Sequence, residues 1–157
     1  MQPLDDWQNA LNNVKTTVPY PNCLEVWLFD DKYLSVKDPS KTNKKRPVLI
    51  LHNNNLRSSR DPGFLNIVPL SSSRSGKDRF TIPITKDCYS QTLNNFNPAS
   101  FSSALTLHYQ PVKSELFKGN NCYCVGVLGN AAICSIRHSI AVDVLGYKSP
   151  YDYDLEP

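Results

Sequence analysis

Short apolar runs alternate with longer polar connections over most of the chain. Six of these runs are rich in the β-branched and aromatic residues that favour strands, at residues 24–29, 47–52, 64–70, 79–84, 105–109 and 122–128. A proline inside a strand removes a ladder hydrogen bond, so we expect Pro47 at the first position of its strand and Pro83 at a sheet edge. The run at 47–52 is apolar throughout, which predicts a strand covered on both faces. The pattern as a whole predicts a small, strongly curved antiparallel sheet or barrel.

Helical spacing occurs near both ends of the chain. Four apolar residues near the start recur every three or four positions and predict an amphipathic helix: Leu4, Trp7, Leu11 and Val14. Three isoleucines have a similar spacing in residues 130–145, and Gly146 is the predicted stop of that second helix. Between the strands, residues 86–100 are predicted to be irregular and residues 112–119 to form a short helical turn.

These elements divide the chain into three parts. Residues 1–20 are a predicted helical extension, residues 21–146 the β-domain, and residues 147–157 an acidic tail that we expect to be poorly ordered. The length of 157 residues, with 40% hydrophobic and 20% charged residues, is typical of one globular domain.

The sequence gives little support for a membrane protein or a metalloprotein. No apolar run approaches the roughly 18 residues of a membrane-spanning helix, and the first residues lack the pattern of a signal peptide. We therefore expect a cytoplasmic protein that does not enter a membrane. The five cysteines are irregularly spaced and the three histidines are scattered, so we expect reduced thiols that pack as small hydrophobic groups, and no metal or other cofactor.

Positive charge is concentrated in one part of the chain, although the net charge is only +3. Residues 41–79 contain nine lysines and arginines against two acidic residues. Such a basic band suggests a polyanionic partner such as nucleic acid, and the alternative is a set of solvated loop side chains without a binding role. Six cations in this band are the candidate phosphate contacts: Lys44, Lys45, Arg57, Arg60, Arg74 and Lys77.

The stretch from Lys44 to Ser71 is the most informative in the chain. The cationic triplet that ends in Arg46 precedes one predicted strand, and a run of three serines that begins at Ser71 follows the next. If these two strands pair, the triplet and the hydroxyls lie at neighbouring positions on one sheet.

The order of these signals resembles the MazF/PemK/Kid toxins of bacterial type II toxin–antitoxin pairs. Seven short pieces within residues 24–146 carry the resemblance: Glu25-Val26-Trp27, Arg46-Pro47-Val48-Leu49-Ile50, Asn54-Asn55-Leu56-Arg57, Val68-Pro69-Leu70-Ser71, Tyr109-Gln110-Pro111, Gly126-Val127-Leu128 and Leu145-Gly146. The resemblance implies a mainly β, α+β fold: an SH3-like barrel with an N-terminal and a C-terminal helix, usually in a homodimer. It also implies a metal-independent endoribonuclease that cleaves single-stranded RNA, and an antitoxin partner that covers the RNA groove.

Cleavage of RNA without a metal uses the ribose 2′-hydroxyl as the nucleophile, and it needs a cation at the phosphate together with a base and an acid. By the resemblance, Arg46 is the cation, because a guanidinium can clamp two phosphate oxygens, and Ser71 orients the same phosphate. The family's usual acid–base positions hold Leu107 and Tyr109 here. His108 lies between them and is the candidate replacement, since histidine exchanges protons near neutral pH.

Two other functions remain open on the sequence. Loss of the usual acid–base residues favours a catalytically weakened barrel that binds RNA or a protein partner. Some toxins of this fold poison gyrase through contacts in their C-terminal helix, but nothing in residues 130–145 points to that target.

Overall fold

The computed structural model describes residues 20–36, 44–53, 61–72, 80–119 and 122–147. The predicted N-terminal helix and nearly all of the predicted acidic tail lie outside these residues. The described part contains eight strands: β1 (Glu25–Asp30), β2 (Lys45–Asn53), β3 (Phe64–Ser71), β4 (Thr81–Pro83), β5 (Tyr89–Thr92), β6 (Ser103–Leu105), β7 (Gln110–Lys113) and β8 (Tyr123–Leu128). Helix α1 (Asn130–Ser139) follows β8 and continues into a π-helical turn, Ile140–Val144.

The strands form one antiparallel sheet in the order β4-β6-β3-β2-β1-β8-β5, and β7 pairs with β3 off this path. The prediction of an antiparallel sheet is confirmed, but the closed barrel is not found. Within the described residues no pairing joins the outer strands β4 and β5, so the sheet is open. Both outer strands are short, and β4 ends at Pro83, which has no N–H with which to continue a ladder.

Strands β1, β2, β3, β4 and β8 confirm five of the six predicted runs with shifted ends. The expectation for Pro47 is wrong, because β2 begins at Lys45 and Pro47 is its third residue, opposite Leu28 of β1. Pro83 lies in an outer strand, as predicted.

The region after β6 differs most from the prediction. A strand was expected over residues 105–109, but β6 ends at Leu105 and a 3-10 turn occupies Thr106–His108. Thr106 favours the turn because its hydroxyl donates a hydrogen bond of 2.8 Å to the carbonyl oxygen of Phe80. Residues 86–100, predicted to be irregular, contain β5, which pairs with β8. The helical turn predicted in residues 112–119 is found at Ser114–Phe117, although β7 reaches Lys113.

The predicted C-terminal helix is confirmed, with a change of winding near its end. Its isoleucines are buried as the spacing predicts, and Gly146 ends it with a φ of +74°, a conformation that costs glycine little. Among the described residues, no helix has the length and apolar character needed to cross a membrane.

Apolar side chains cover both faces of the central strands, as the unbroken run in β2 predicts. The helix-side core packs α1 on one face and consists of Val26, Leu49, Leu51, Val68, Leu70, Ile84, Ala104, Val125, Leu128, Ile133, Ile136 and Ile140. The loop-side core on the other face consists of Trp27, Phe29, Leu34, Val48, Ile50, Leu65, Ile67, Val112 and Phe117. Each fully buried Val, Leu, Ile or Phe stabilises the fold by about 1.5–3 kcal/mol.

Candidate functional site

Arg46 and Ser71 lie opposite each other at the ends of β2 and β3. The antiparallel register pairs Val48 with Pro69, and two further positions along it place Arg46 opposite Ser71. Opposed residues share a face of the sheet, so both side chains lie at the end of the loop-side core. They are 6% and 8% exposed, respectively. The expectation that these two strands bring Arg46 and Ser71 together is therefore confirmed.

A third polar side chain extends this pair. Ser103 of β6 is opposite Ser71 and is 4% exposed. Arg46, Ser71 and Ser103 thus form a row of buried polar side chains across three neighbouring strands, which we call the polar row. Sequence reasoning missed Ser103, because a serine in a serine-rich loop gives no signal until the pairing of β3 with β6 is known.

The backbone fixes the guanidinium of Arg46. Its Nη1 donates a hydrogen bond of 3.2 Å to the carbonyl oxygen of Leu70. Because Leu24 N donates to Ile50 O across the β1 side, strand alternation turns the backbone nitrogen of Pro47 toward Leu70 on the β3 side. Proline has no N–H, so the Leu70 carbonyl lacks its ladder donor there and accepts from Arg46 instead.

Two buried polar atoms near the polar row have no hydrogen-bond partner among the described residues, Arg46 Nε and Asp31 Oδ2. Asp31 is 3% exposed, and its backbone N–H donates to the carbonyl of Lys44 at 3.0 Å. This pairing makes Asp31 and Arg46 diagonal neighbours, whose Cα atoms are typically about 7–8 Å apart. A buried polar group without a partner costs about 1–3 kcal/mol, more when charged, and such groups often mark functional sites.

Sequence reasoning missed Asp31 as well. Adjacent acidic residues such as Asp30 and Asp31 usually belong to a solvated loop. Here Asp30 does lie nearer solvent, and its carboxylate is 3.7 Å from Lys32 Nζ. Only the structure shows that the second of the two carboxylates is buried.

His108 lies on the 3-10 turn after β6, so the strand alternation that we expected there does not decide its direction. Its Nδ1 is 3.0 Å from the hydroxyl of Ser35, in the connection that follows β1. Gln110 fixes the same connection, because its Oε1 accepts from Ser35 N at 2.9 Å and its Nε2 donates to Tyr33 O at 3.1 Å. The described residues give His108 a hydrogen bond to Ser35 and none to Arg46.

The predicted phosphate contacts are only partly described. Lys45 follows strand alternation to the face opposite Arg46, and its Nζ lies 5.9 Å from the ring centroid of Tyr123. Lys44 is half-buried beside Asp31. The remaining four lie outside the described residues: Arg57, Arg60, Arg74 and Lys77.

Two cavities lie beyond Ser103. The first has a volume of about 400 Å³ and is lined by Pro83, Ile84, Thr85, Lys86, Ala99, Ser102 and Ser103. The second, of about 320 Å³, is lined by Lys86, Tyr89, Ser90, Gln91, Thr92, Asn97, Pro98 and Ala99. Lys86 and Ala99 therefore separate the two cavities.

The cysteines are not part of this site. Cys122 and Cys124 pack against the loop-side core, as expected of small hydrophobic groups. Burial raises the pKa of the Cys122 thiol, and it raises the pKa of the Cys124 thiol to about 11. Across the described ranges, no group of three or more metal-ligating side chains occurs.

The fold matches several solved structures at low sequence identity. A mycobacterial endoribonuclease is 14% identical with a TM-score of 0.56, and the match covers 85% of this chain and 99% of that one. MazE-MazF from Deinococcus radiodurans is 13% identical with a TM-score of 0.54, over 82% of this chain and 99% of that one. The chain has a MazF-like fold. MazF from the same organism gives 14% identity and a TM-score of 0.53, over 82% of this chain and 98% of that one.

No family model matches the chain, and neither does any curated protein. The resemblance seen in the sequence is thus confirmed for the fold. Within this MazF-like fold, the polar row lies where β2 begins and β3 ends.

Proposed function

We propose that this chain is the toxin of a type II toxin–antitoxin pair, an endoribonuclease that cleaves single-stranded RNA by metal-independent attack of the 2′-hydroxyl. The observation that carries the proposal is the polar row in a MazF-like fold. A buried guanidinium stands there beside two hydroxyls, and its Nε has no partner among the described residues. This arrangement suits a phosphate, which accepts hydrogen bonds on several oxygens and carries the opposite charge.

Arg46 binds the scissile phosphate and stabilises the charge that grows on its oxygens in the transition state. Its Nη1 stays on the Leu70 carbonyl, so the guanidinium is already oriented before RNA arrives. Donors fixed in advance in a site that excludes water stabilise developing charge more than donors in water do. The hydroxyls of Ser71 and Ser103 donate to the same phosphate.

Proton transfer is assigned to Asp31 and His108. The Asp31 carboxylate takes the proton of the 2′-hydroxyl, O2′ bonds to phosphorus, and the bond from phosphorus to O5′ breaks. His108 gives a proton to the leaving O5′, which yields a 2′,3′-cyclic phosphate and a 5′-hydroxyl. The Asp31 carboxylate is suited to this role because its Oδ2 has no hydrogen-bond partner among the described residues. Ser35 binds His108 through Nδ1, which leaves Nε2 for the substrate.

Binding and regulation complete the proposal. The cations that contact RNA phosphates are Lys44, Lys45, Arg57, Arg60, Arg74 and Lys77. A cognate antitoxin inhibits the enzyme, in keeping with the MazE-MazF complexes among the structural neighbours. The active form is a cytoplasmic homodimer.

An RNA-binding or protein-binding module without cleavage is the second candidate. The residues at the usual acid–base positions favour it, because Leu107 has no titratable group and is 57% exposed, and Tyr109 replaces the expected aspartate. In that case the polar row binds phosphate, and no proton transfer follows.

One cleavage assay distinguishes the two candidate functions. A long single-stranded RNA is incubated in EDTA with the wild type, with Arg46→Ala or with Arg137→Ala. Arg137 carries the same charge but lies on α1, where it donates to the Leu51 carbonyl at 2.9 Å. We expect the wild type and Arg137→Ala to cut at defined sites and Arg46→Ala to leave the RNA intact. Intact RNA with all three proteins, together with salt-sensitive binding, would exclude the enzyme and leave the binding module.

A further inference from the structure

We propose that the two cavities beyond Ser103 bind two successive bases of the RNA strand, so that the chain recognises sequence on one side of the bond it cuts. This inference rests on the proposed RNA substrate. Apart from Ser103, which the two share, the residues that line the cavities play no part in the chemistry described above.

The position of the first cavity supports this assignment. Ser103 belongs both to the polar row and to the cavity wall, and its opposite neighbour on β4, Pro83, lies on the same wall. Neighbouring strands are about 4.8 Å apart, so the cavity lies one to two strand spacings from Ser71. A nucleotide spans that distance from its phosphate to its base. A phosphate held at Arg46 and Ser71 therefore brings an attached base to the cavity.

The walls of the first cavity suit a flat, partly apolar ring. Pro83, Ile84 and Ala99 provide apolar surface, and the polar groups are Thr85, Ser102 and Lys86. Ligand pockets commonly combine such apolar walls with a few polar groups that fix orientation. A nucleobase has this same division between apolar faces and a polar edge.

The second cavity continues the path. It shares Lys86 and Ala99 with the first, and its other walls include Gln91 and Asn97. Amide side chains can both donate to and accept from base edges. Lys86, between the cavities, is placed to contact the phosphate that joins the two bases.

The cavity walls are held in place before any ligand binds. The N–H of Ile84 donates to the Ser102 carbonyl at 2.7 Å, and the Asn97 side chain accepts from Ala99 N at 3.1 Å. The rings of Phe96 and Phe101, which flank residues 97–100 in the chain, stack with centroids 6.0 Å apart. A preformed pocket loses little conformational freedom on binding, which favours selective recognition.

Ala99 provides the test, because it lines both cavities and is itself exposed. Ala99→Phe fills the space between the cavities, and Ala99→Ser at the same position leaves the space open as a matched control. Two measurements are made with each protein: the base preference around cut sites in a randomised RNA pool, and the affinity for a 2′-O-methyl oligonucleotide that cannot be cleaved. Circular dichroism checks that both variants keep the fold.

We expect Ala99→Phe to lose base preference at one or two positions on one side of the cut and to bind the oligonucleotide about tenfold more weakly, as the loss of a stacked base does. Ala99→Ser should match the wild type. If the wild type cuts RNA and Ala99→Phe cuts with the same preference, the base sites are excluded and the nuclease stands. If none of the three proteins cuts RNA but Ala99→Phe alone binds the oligonucleotide weakly, the nuclease proposal is wrong and the base-site proposal is supported. If none of the three proteins binds RNA, both proposals are wrong.

Discussion

Two aspartates near opposite ends of β3 differ in what surrounds them. Asp61, before the strand begins, is exposed and accepts hydrogen bonds from the Ser114 hydroxyl and from Gly63 N. Asp31, near the polar row at the other end, is buried, and one of its oxygens has no described partner. Hydrogen bonds within the fold therefore hold one oxygen of the Asp61 carboxylate, whereas one oxygen of Asp31 is buried without a described partner.

The same contrast separates the rest of the two regions. Around Asp61, Ser114 also donates to the Gly63 carbonyl and ties β7 to the start of β3. Around Asp31, the Nε of Arg46 likewise has no partner in the part of the chain that the structure describes. Polar groups that find partners within the chain stabilise it, and those left without partners are available to a ligand at some expense of stability. Substitutions near Asp61 should therefore lower stability more than activity, and substitutions at Asp31 or Arg46 should lower activity more than stability.

Asp31→Asn should produce the largest change. A general base contributes typically about 10²–10⁴-fold, so single-turnover cleavage should fall by that factor, while the thermal midpoint stays near that of the wild type. A substrate with a 5′-bridging sulfur, which needs no acid for its leaving group, separates the two proton-transfer roles. That substrate should restore cleavage by His108→Ala but not by Asp31→Asn. Equal rescue of both variants, or full activity of Asp31→Asn, would contradict the assignment of the base.

Arg46→Met should lower activity strongly and weaken the fold only slightly. Loss of an oriented donor to the developing charge lowers the rate by about 10²–10³-fold. Methionine leaves the Leu70 carbonyl without the donor that Arg46 supplies, a loss of about 1–3 kcal/mol, but it also removes a buried charge whose Nε has no partner among the described residues. Because these two effects oppose each other, we expect the free energy of unfolding in urea to fall by less than about 3 kcal/mol. A strongly destabilised Arg46→Met would mean that the guanidinium serves the fold, as Asp61 does.

Asp61→Asn should have the smallest effect, and it should appear in stability alone. The hydrogen bond from Ser114, followed by that from Gly63 N, lowers the pKa of Asp61 below its ordinary value of 3.8. A lowered pKa stabilises the fold above pH 3.8, and this contribution is lost as the pH falls through the folded value. Thermal melts below pH 4 should therefore depend less on pH in Asp61→Asn, while Asp87→Asn, also exposed, should melt like the wild type. RNA cleavage at neutral pH should not change. A fall in cleavage would contradict the conclusion that Asp61 contributes to stability and not to activity.

The sequence predicted what depends on local pattern. Strands β1, β2, β3 and β8 and helix α1 have strong apolar periodicity, and the motif around Arg46 and Ser71 was sufficient to pair them. The sequence could not predict that β4 and β5 do not pair among the described residues, because closure of a sheet depends on contacts between short strands that are far apart in the chain. The turn at Thr106 was missed because a side-chain hydrogen bond to Phe80 overrides the β-propensity of its neighbours. Ser103 and Asp31 gained significance only from pairing and burial, which no local pattern encodes.

Pro47 decides which substitutions the chain can accept without losing the orientation of the Arg46 guanidinium. Since a main-chain oxygen anchors the Arg46 guanidinium, its orientation depends on the path of two strands and not on which side chains surround it. Many neighbouring residues can therefore be exchanged without redirecting the charge. Pro47 itself is the exception: alanine there would supply an N–H to the Leu70 carbonyl, compete with the guanidinium for that oxygen and set the charge free to turn.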